Sequence, residues 1–111
     1  MGEPRGGWRI TAQAARAAQN EPGRSSALLM DHGSMSVRYY APRGHDPQQP
    51  HEQDELYVVL SGHGTFLRCG NRTPFGPGDV LFAAAGEEHR FEEFSDDFET
   101  WVVFYGPKGG E

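Results

Sequence analysis

Short apolar runs separated by turn residues fill the chain from residue 25 onward, and they predict strands. The predicted strands are 26–31, 35–41, 55–60, 64–69, 72–75, 79–83, 89–94 and 98–105. Clusters rich in Gly, Pro, Asn and Asp separate them, for example Pro42-Arg43-Gly44 and Gly76-Pro77-Gly78-Asp79. Turns at short, regular spacing without helical patterns between them are typical of an all-β sandwich or closed barrel. About eight strands suit a jelly-roll barrel, also called a double-stranded β-helix.

The N-terminal segment has the one helical pattern in the sequence. Thr11 precedes an Ala-rich run that ends at Gln19, and Pro22-Gly23 follow it. Thr is a good N-cap, Ala has the highest helix propensity, and Pro-Gly ends a helix. A helix of about two turns is marginal alone, so we expect it to pack on a sheet edge. The predicted parts are an N-terminal arm with a short helix over 1–24, a barrel over 25–106, and a flexible tail over 107–111.

Composition narrows the function classes. The chain has 111 residues and a net charge of −6, which argues against binding to nucleic acid or to an anionic membrane surface. The single Cys69 excludes an intrachain disulfide framework and an all-Cys zinc site. No apolar run approaches the ~18 residues of a membrane helix, and the N-terminus lacks a signal core. We therefore expect a soluble, cytoplasmic protein, and the preference for Arg over Lys indicates a GC-rich bacterial source.

Two segments carry the candidate chemistry. If the chain from 49 to 59 stays extended, the odd-numbered Gln49, His51, Glu55 and Tyr57 share one face. That face then brings an imidazole and a carboxylate toward the core, where an unpartnered carboxylate is costly. A metal ion would partner it, and His89 from another strand would complete a two-His, one-carboxylate set with open positions.

Both segments resemble, in the right order, the two motifs of the cupin superfamily. In the first, His51, Glu55 and Gly62 match the second half of the motif with three and six intervening residues. In the second, Gly78, Gly86 and His89 match at the family spacing. The resemblance covers about residues 35–105 and implies a small conserved barrel with a divalent metal ion, Fe²⁺, Mn²⁺, Ni²⁺ or Zn²⁺, inside its wider end.

Three positions depart from the family pattern. Gln49 stands where the first motif His belongs, Ala84 replaces the motif Pro, and Glu93 replaces the motif Asn. An amide oxygen is a neutral, harder ligand than imidazole. Gln49 is therefore interpreted as a fourth ligand, as a residue that orients bound water or substrate, or as the mark of a site that has lost its metal.

Two further residues are candidates for catalysis. Glu93 lies in an acidic stretch that is mostly a solvated strand and turn, but it shares parity with His89 and is a candidate general acid or base. Tyr57 shares parity with Glu55 and is the second candidate catalytic residue. His32, His45 and His63 lie in or beside Gly-containing turns and are expected to be exposed.

The resemblance implies a metal-binding cupin, and we expect a metal-dependent enzyme of the dioxygenase type that acts on a small oxygen-bearing organic molecule. An isomerase is a second enzymatic possibility, because the fold does not fix the reaction. A non-catalytic sugar- or acid-binding module and a metal-free structural barrel are the alternatives. The nearly continuous apolar run 101–105 predicts a strand covered on both faces, as in a homodimer or under the N-terminal helix.

Overall fold

The computed structural model describes residues 2–18 and 25–111 of the chain. Within these ranges one helix precedes eight strands, and each predicted strand has a counterpart with bounds within two residues. The elements are α1 (Ala12–Ala17), β1 (Ala27–His32), β2 (Met35–Tyr40), β3 (Asp54–Ser61), β4 (Gly64–Arg68), β5 (Asn71–Phe75), β6 (Val80–Ala83), β7 (His89–Glu92) and β8 (Glu99–Tyr105). The prediction of an all-β fold with a short N-terminal helix is confirmed.

The helix begins at the N-cap that its sequence predicts. The Thr11 hydroxyl accepts a hydrogen bond from the Ala14 amide at 3.0 Å, which satisfies an orphan donor of the first turn. The helix ends at Ala17, while the predicted end at Gln19 and the stop at Pro22-Gly23 lie outside the described residues. Arg16 Nε donates to Glu99 Oε1 at 2.9 Å and ties the helix to the beginning of β8.

Two antiparallel sheets form the body of the described chain. The larger sheet has the strand order β1-β2-β8-β3-β6, and the smaller has the order β5-β4-β7. β3 pairs with β8 and β6, so it lies inside the larger sheet, and β4 lies at the centre of the smaller one. From β3 onward the chain crosses between the sheets four times, at β3–β4, β5–β6, β6–β7 and β7–β8, in the manner of a jelly roll, and this places β3 and β7 on opposite sides of the core.

The core between the sheets is mostly aromatic. Phe91 on β7 is buried, and its ring centroid lies 4.7 to 5.3 Å from the rings of Tyr57, Phe66, Phe75 and Phe98. On β8, even-numbered residues such as Val102 and Phe104 are buried, while Trp101, Val103 and Tyr105 are half-buried. The outer face of β8 is in part exposed within the described residues, so its expected cover, above all by a second subunit, stays a prediction.

Glycine is required at the corner between β3 and β4. Gly62 has a φ of +86°, and a Cβ built on it would lie 2.4 Å from the Phe98 Cα. A side chain there would meet both a disfavoured backbone conformation and a backbone clash. The motif glycine therefore allows two chain segments to approach closely at this end of the molecule.

The C-terminal residues contact the loop that precedes β3. The Gly109 amide donates to the Glu52 carbonyl at 2.7 Å, and the Glu111 amide donates to Asp54 Oδ2 at 3.1 Å. The division into arm, barrel and flexible tail stays a prediction. Among the described residues, no helix combines the length and the apolar character that crossing a membrane would need.

Candidate metal centre

Two buried side chains from opposite sheets meet at one end of the core. Glu55 extends from β3 and His89 from β7, and the side chain of each is only 1% exposed. The Nε2 atom of His89 lies 2.8 Å from Glu55 Oε1. The jelly-roll topology therefore brings together a carboxylate and an imidazole that are 34 positions apart in the sequence.

The backbone fixes which nitrogen of His89 faces Glu55. The Nδ1 atom lies 2.9 Å from the Glu87 carbonyl oxygen, which can only accept, so Nδ1 carries a proton and donates it. Nε2 then points at the carboxylate without hydrogen-bond geometry, and both Nε2 and Glu55 Oε2 lack a hydrogen-bond partner in the described chain. Burial is the largest single influence and lowers the pKa of His89, but the adjacent Glu55 carboxylate, the Glu87 carbonyl and the Asp46 charge together raise it by more, so the net shift is upward.

His51 completes the group from the loop before β3. Its Nε2 atom lies 3.9 Å from Glu55 Oε1, and its side chain is 33% exposed. The His51 carbonyl accepts a hydrogen bond from the Gly86 amide at 2.8 Å, and Ala85 N donates to Asp54 Oδ1 at 2.9 Å. These two contacts join the first motif to the turn of the second and hold His51 beside His89.

The donor set suits a divalent transition metal. One ligand atom from each of His51, Glu55 and His89 lies within 4.8 Å of the others. Two ligands about 2.1 Å from one ion lie about 3 Å apart at a right angle and about 4 Å apart when opposed, which spans the observed 2.8 and 3.9 Å. Two imidazoles and one carboxylate are also the donor types of the two-His, one-carboxylate metal sites. The unpartnered Nε2 and Oε2 atoms therefore fit a cation.

Tyr57 lies beside this group, as its parity predicts. The residue is fully buried, and its ring packs 6.1 Å from that of His89. Burial and then the neighbouring Glu55 charge raise the pKa of the Tyr57 hydroxyl well above its usual value, although the hydrogen bond to Gln48 acts in the opposite direction. The hydroxyl therefore keeps its proton at neutral pH and donates it to Gln48 Oε1 at 2.8 Å.

Gln48 is a site residue that the sequence analysis did not single out. Besides Tyr57, its Oε1 atom lies 3.3 Å from His51 Nε2, and its Nε2 atom donates to Asp46 Oδ2 at 2.8 Å. Asp46 is buried although it lies in a loop between β2 and β3. The sequence has two adjacent glutamines, Gln48 and Gln49, either of which could face the site. Strand alternation predicted that the odd-numbered Gln49 faces inward, so Gln48 was not considered.

Two predicted site residues are not placed with the group. Gln49 is exposed and lines a cavity together with Gln48 and His51. Glu93 is exposed, follows the end of β7, and has a φ of +49°. The prediction that Glu93 points inward with His89 required an extended chain, but the strand ends at Glu92. The roles assigned to Gln49 and Glu93 stay predictions.

Two cavities reach the site along the His51 ring. One, of about 270 Å³, is lined by Tyr40, Gln48 and Phe104 among others, and the second, of about 320 Å³, includes Ser36 and Arg38. Arg38 is buried and faces the same side of β2 as Tyr40. His32, His45 and His63 are exposed, as predicted, and none of them belongs to the described metal-ligating group.

Comparisons with known proteins agree with this architecture. The sequence profile of the cupin domain matches residues 36–104. An uncharacterised protein of Streptomyces coelicolor is 38% identical over 77 residues, which cover 68% of this chain and 73% of that protein. A solved structure of unknown function from Rhizobium leguminosarum superposes with a TM-score of 0.71 at 22% identity, over 90% of this chain and 98% of that chain.

A third relative has a named activity. Dimethylsulfoniopropionate lyase DddQ of Ruegeria pomeroyi is 28% identical over 109 residues, which cover 89% of this chain. The match covers 54% of DddQ, so this chain spans about half the length of that relative. The cupin profile covers well over half of the chain, and the two motifs that it includes supply Glu55, His89 and the corner at Gly62. The chain therefore belongs to the cupin domain family.

Proposed function

We propose that this cupin is a metal-dependent enzyme, with a divalent ion held by His51, Glu55 and His89, that acts on a small oxygen-bearing organic molecule. The observation that carries the proposal is the meeting of three ligand atoms from three separate segments, two of them on side chains that are only 1% exposed. A purely structural core would satisfy or omit such groups, because unsatisfied buried polar atoms are costly.

The ion itself would be Fe²⁺, Mn²⁺, Ni²⁺ or Zn²⁺, which two imidazoles and a carboxylate all suit. Such an ion supplies Lewis acidity and, when it is iron, oxygen activation. The chain's own residues bind and orient the substrate. Ser36 and Arg38 line the cavity of about 320 Å³ beside His51, and their side chains carry hydrogen-bond donors suited to carboxylate or hydroxyl oxygens.

Two reaction classes remain as proposals for this site. Dioxygenase-type chemistry is the class that the sequence analysis favours. Elimination or isomerisation is favoured by a specific observation, the buried Tyr57 hydroxyl beside the ligand group, which is placed to hold or move one proton. The similarity to a lyase over 89% of the chain supports the second class.

Metal content tests the first part of the proposal. After anaerobic purification, elemental analysis should find about one metal ion in the wild type and in His63→Ala, a control in which an exposed His is changed. The same analysis should find the metal greatly depleted in His89→Ala. Equal, sub-stoichiometric metal in all three proteins contradicts the metal centre and leaves the metal-free structural barrel.

Turnover assays test the reaction class. Oxygen uptake by the Fe²⁺ form with a panel of diketones, catechols and thiols identifies a dioxygenase. Release of dimethyl sulfide from dimethylsulfoniopropionate, which breaks a carbon–sulfur bond as a proton leaves the neighbouring carbon, identifies a lyase. A Tyr57→Phe variant should lose the second activity and keep metal. Tight binding of one compound without any turnover favours the non-catalytic binding module.

We also propose that the protein is a homodimer. The support is the row Trp101, Val103 and Tyr105 on the outer face of β8, whose side chains are only half-buried within the described chain. Aromatic and β-branched residues on such a face are suited to cover against a second subunit. Light scattering after size-exclusion chromatography measures the mass, and a monomer at micromolar concentration contradicts the proposal.

A further inference from the structure

We propose that Gln48 Oε1 is the fourth protein ligand of the metal ion, an inference that rests on the proposed function. The sequence analysis gave Gln49 as one candidate for that place, because Gln49 stands where the cupin motif has a His. The geometry points instead to the preceding residue, because its amide is fixed on one side and directed at His51 on the other.

Asp46 determines which end of the Gln48 amide faces the site. Asp46 Oδ2 accepts from Gln48 Nε2 at 2.8 Å and from the Phe91 amide at 2.8 Å. Its Oδ1 atom accepts from the Gln48 amide at 3.2 Å and from the Tyr40 hydroxyl. A carboxylate held by three other donors can only accept from a fourth group, so the nitrogen of the Gln48 side chain must point at it. The oxygen consequently points away from Asp46, toward His51 and Tyr57.

The two lone pairs of Gln48 Oε1 have different surroundings. The Tyr57 hydroxyl donates to this oxygen at 2.8 Å. On another side, His51 Nε2 lies 3.3 Å away. Two ligands of one ion at right angles lie about 3 Å apart, so this separation fits a shared ion as well as the 2.8 Å between His89 Nε2 and Glu55 Oε1 does. By this distance Gln48 Oε1 is a neighbour of the His51 ligand atom and is placed to share its ion.

Gln49 has the opposite placement. Its side chain is exposed, whereas that of Gln48 is half-buried. The chain before Asp54 is not in a strand, so the parity that relates His51 to Glu55 does not extend to residue 49. A backbone that bends in this loop exchanges the inward and outward positions of neighbouring residues.

A neutral fourth ligand sets the charge of the centre. Glu55 would be the only anionic ligand among His51, Glu55, His89 and Gln48, so a divalent ion would keep one positive charge. This charge favours an anionic substrate over a neutral one. Arg38, which lines the neighbouring cavity, adds positive charge on the same side. The inferred substrate class is therefore a small carboxylate or another oxyanion.

Cobalt and copper binding test the inference without an activity assay. Gln48→Leu should weaken Co²⁺ binding by about 10- to 100-fold in calorimetry and change the visible Co²⁺ spectrum, whereas Gln49→Leu should leave both as in the wild type. Gln48→His should bind Co²⁺ at least as tightly as the wild type. Pulsed EPR of bound Cu²⁺ should then count three imidazoles in Gln48→His and two in the wild type and in Gln49→His.

The outcomes separate the inference from the proposed function. Wild-type affinity and spectrum in Gln48→Leu, with binding lost in His89→Ala, overturn the fourth ligand and leave the metal centre in place. A third imidazole in Gln49→His instead of Gln48→His also overturns it. If Gln48→Leu does not fold by circular dichroism, the Gln48→His measurement decides. Absence of Co²⁺ binding to the wild type overturns both proposals.

Discussion

Removing both buried groups of the Glu55–His89 pair should stabilise the metal-free protein. The proposed change is the double variant Glu55→Val/His89→Leu, which replaces two side chains that are each 1% exposed with apolar ones. In the metal-free form, Glu55 Oε2 and His89 Nε2 have no hydrogen-bond partner in the described chain, and each such atom costs about 1–3 kcal/mol. The attraction across 2.8 Å between His89 Nε2 and Glu55 Oε1 offsets part of this cost.

The net gain of the double variant is therefore expected to be about 1–4 kcal/mol, as for other buried ion pairs replaced by apolar residues. Each single variant should instead lose about 3–5 kcal/mol, because it leaves one charged group buried without its partner. The wild type should gain about 2.7 kcal/mol at a metal concentration of 100 times Kd, and the double variant should gain nothing.

Urea denaturation in EDTA and in excess Zn²⁺ measures these differences, with His63→Leu as a control for the loss of an exposed His. At this chain length, 1 kcal/mol corresponds to about 4 °C in Tm, so a thermal scan also resolves them. A double variant that is less stable than the wild type in EDTA by more than about 1 kcal/mol would refute the reasoning. A rise in the free energy of unfolding of the double variant when Zn²⁺ is added would also refute the reasoning, because that variant lacks two of the three proposed ligands.

Three further predictions concern the rest of the fold. Phe91→Ala should lower the free energy of unfolding by about 4 kcal/mol, because its buried ring packs against several others; a loss under 2 kcal/mol in urea denaturation would contradict this. Gly62→Ala should lower the free energy of unfolding by at least about 2 kcal/mol more than Gly33→Ala does. Gly33 is a matched control because it also has a positive φ, but a Cβ built on it has no atom within 4 Å. Equal losses for the two variants in urea denaturation would count against the close approach at Gly62. The hydrogen bond from Arg16 lowers the pKa of Glu99 to about 2 from 4.5, so its contribution to stability is complete above pH 4.5 and is lost as pH falls toward 2. Arg16→Gln should flatten the fall in Tm over that range, and an unchanged pH profile would show that the pair contributes nothing.

The strands could be predicted because local patterns specify them. Apolar runs and turn glycines located every strand within two residues, and Gly62 marked a corner where a side chain would clash. The motif spacing also selected Glu55 and His89, which the fold brings from different sheets. Such positions are predictable since a strand has period two and a tight turn admits few residue types.

Sequence reasoning is weakest where the chain leaves regular structure. Glu93 follows the last residue of β7 with a positive φ, so alternation gives no information about its direction. Gln48 and Asp46 lie in an irregular loop, where a one-residue difference exchanges inside and outside. Asp46 in particular is an acid beside a proline in the sequence, and its burial depends on donors that are distant along the chain.

The sequence by itself determined the strand order along the chain, the turns, and the histidines and carboxylate that could bind a metal, because these depend on neighbouring residues and their spacing. The tertiary structure decided which of these groups meet. His89 Nε2 lies 2.8 Å from Glu55 Oε1 because β3 and β7 face each other across the core. The Gln48 amide is oriented by Asp46, which is itself held by hydrogen bonds from Tyr40 and Phe91. Contacts between distant segments depend on how the sheets pack, and the hydrophobic periodicity within one segment does not predict that packing.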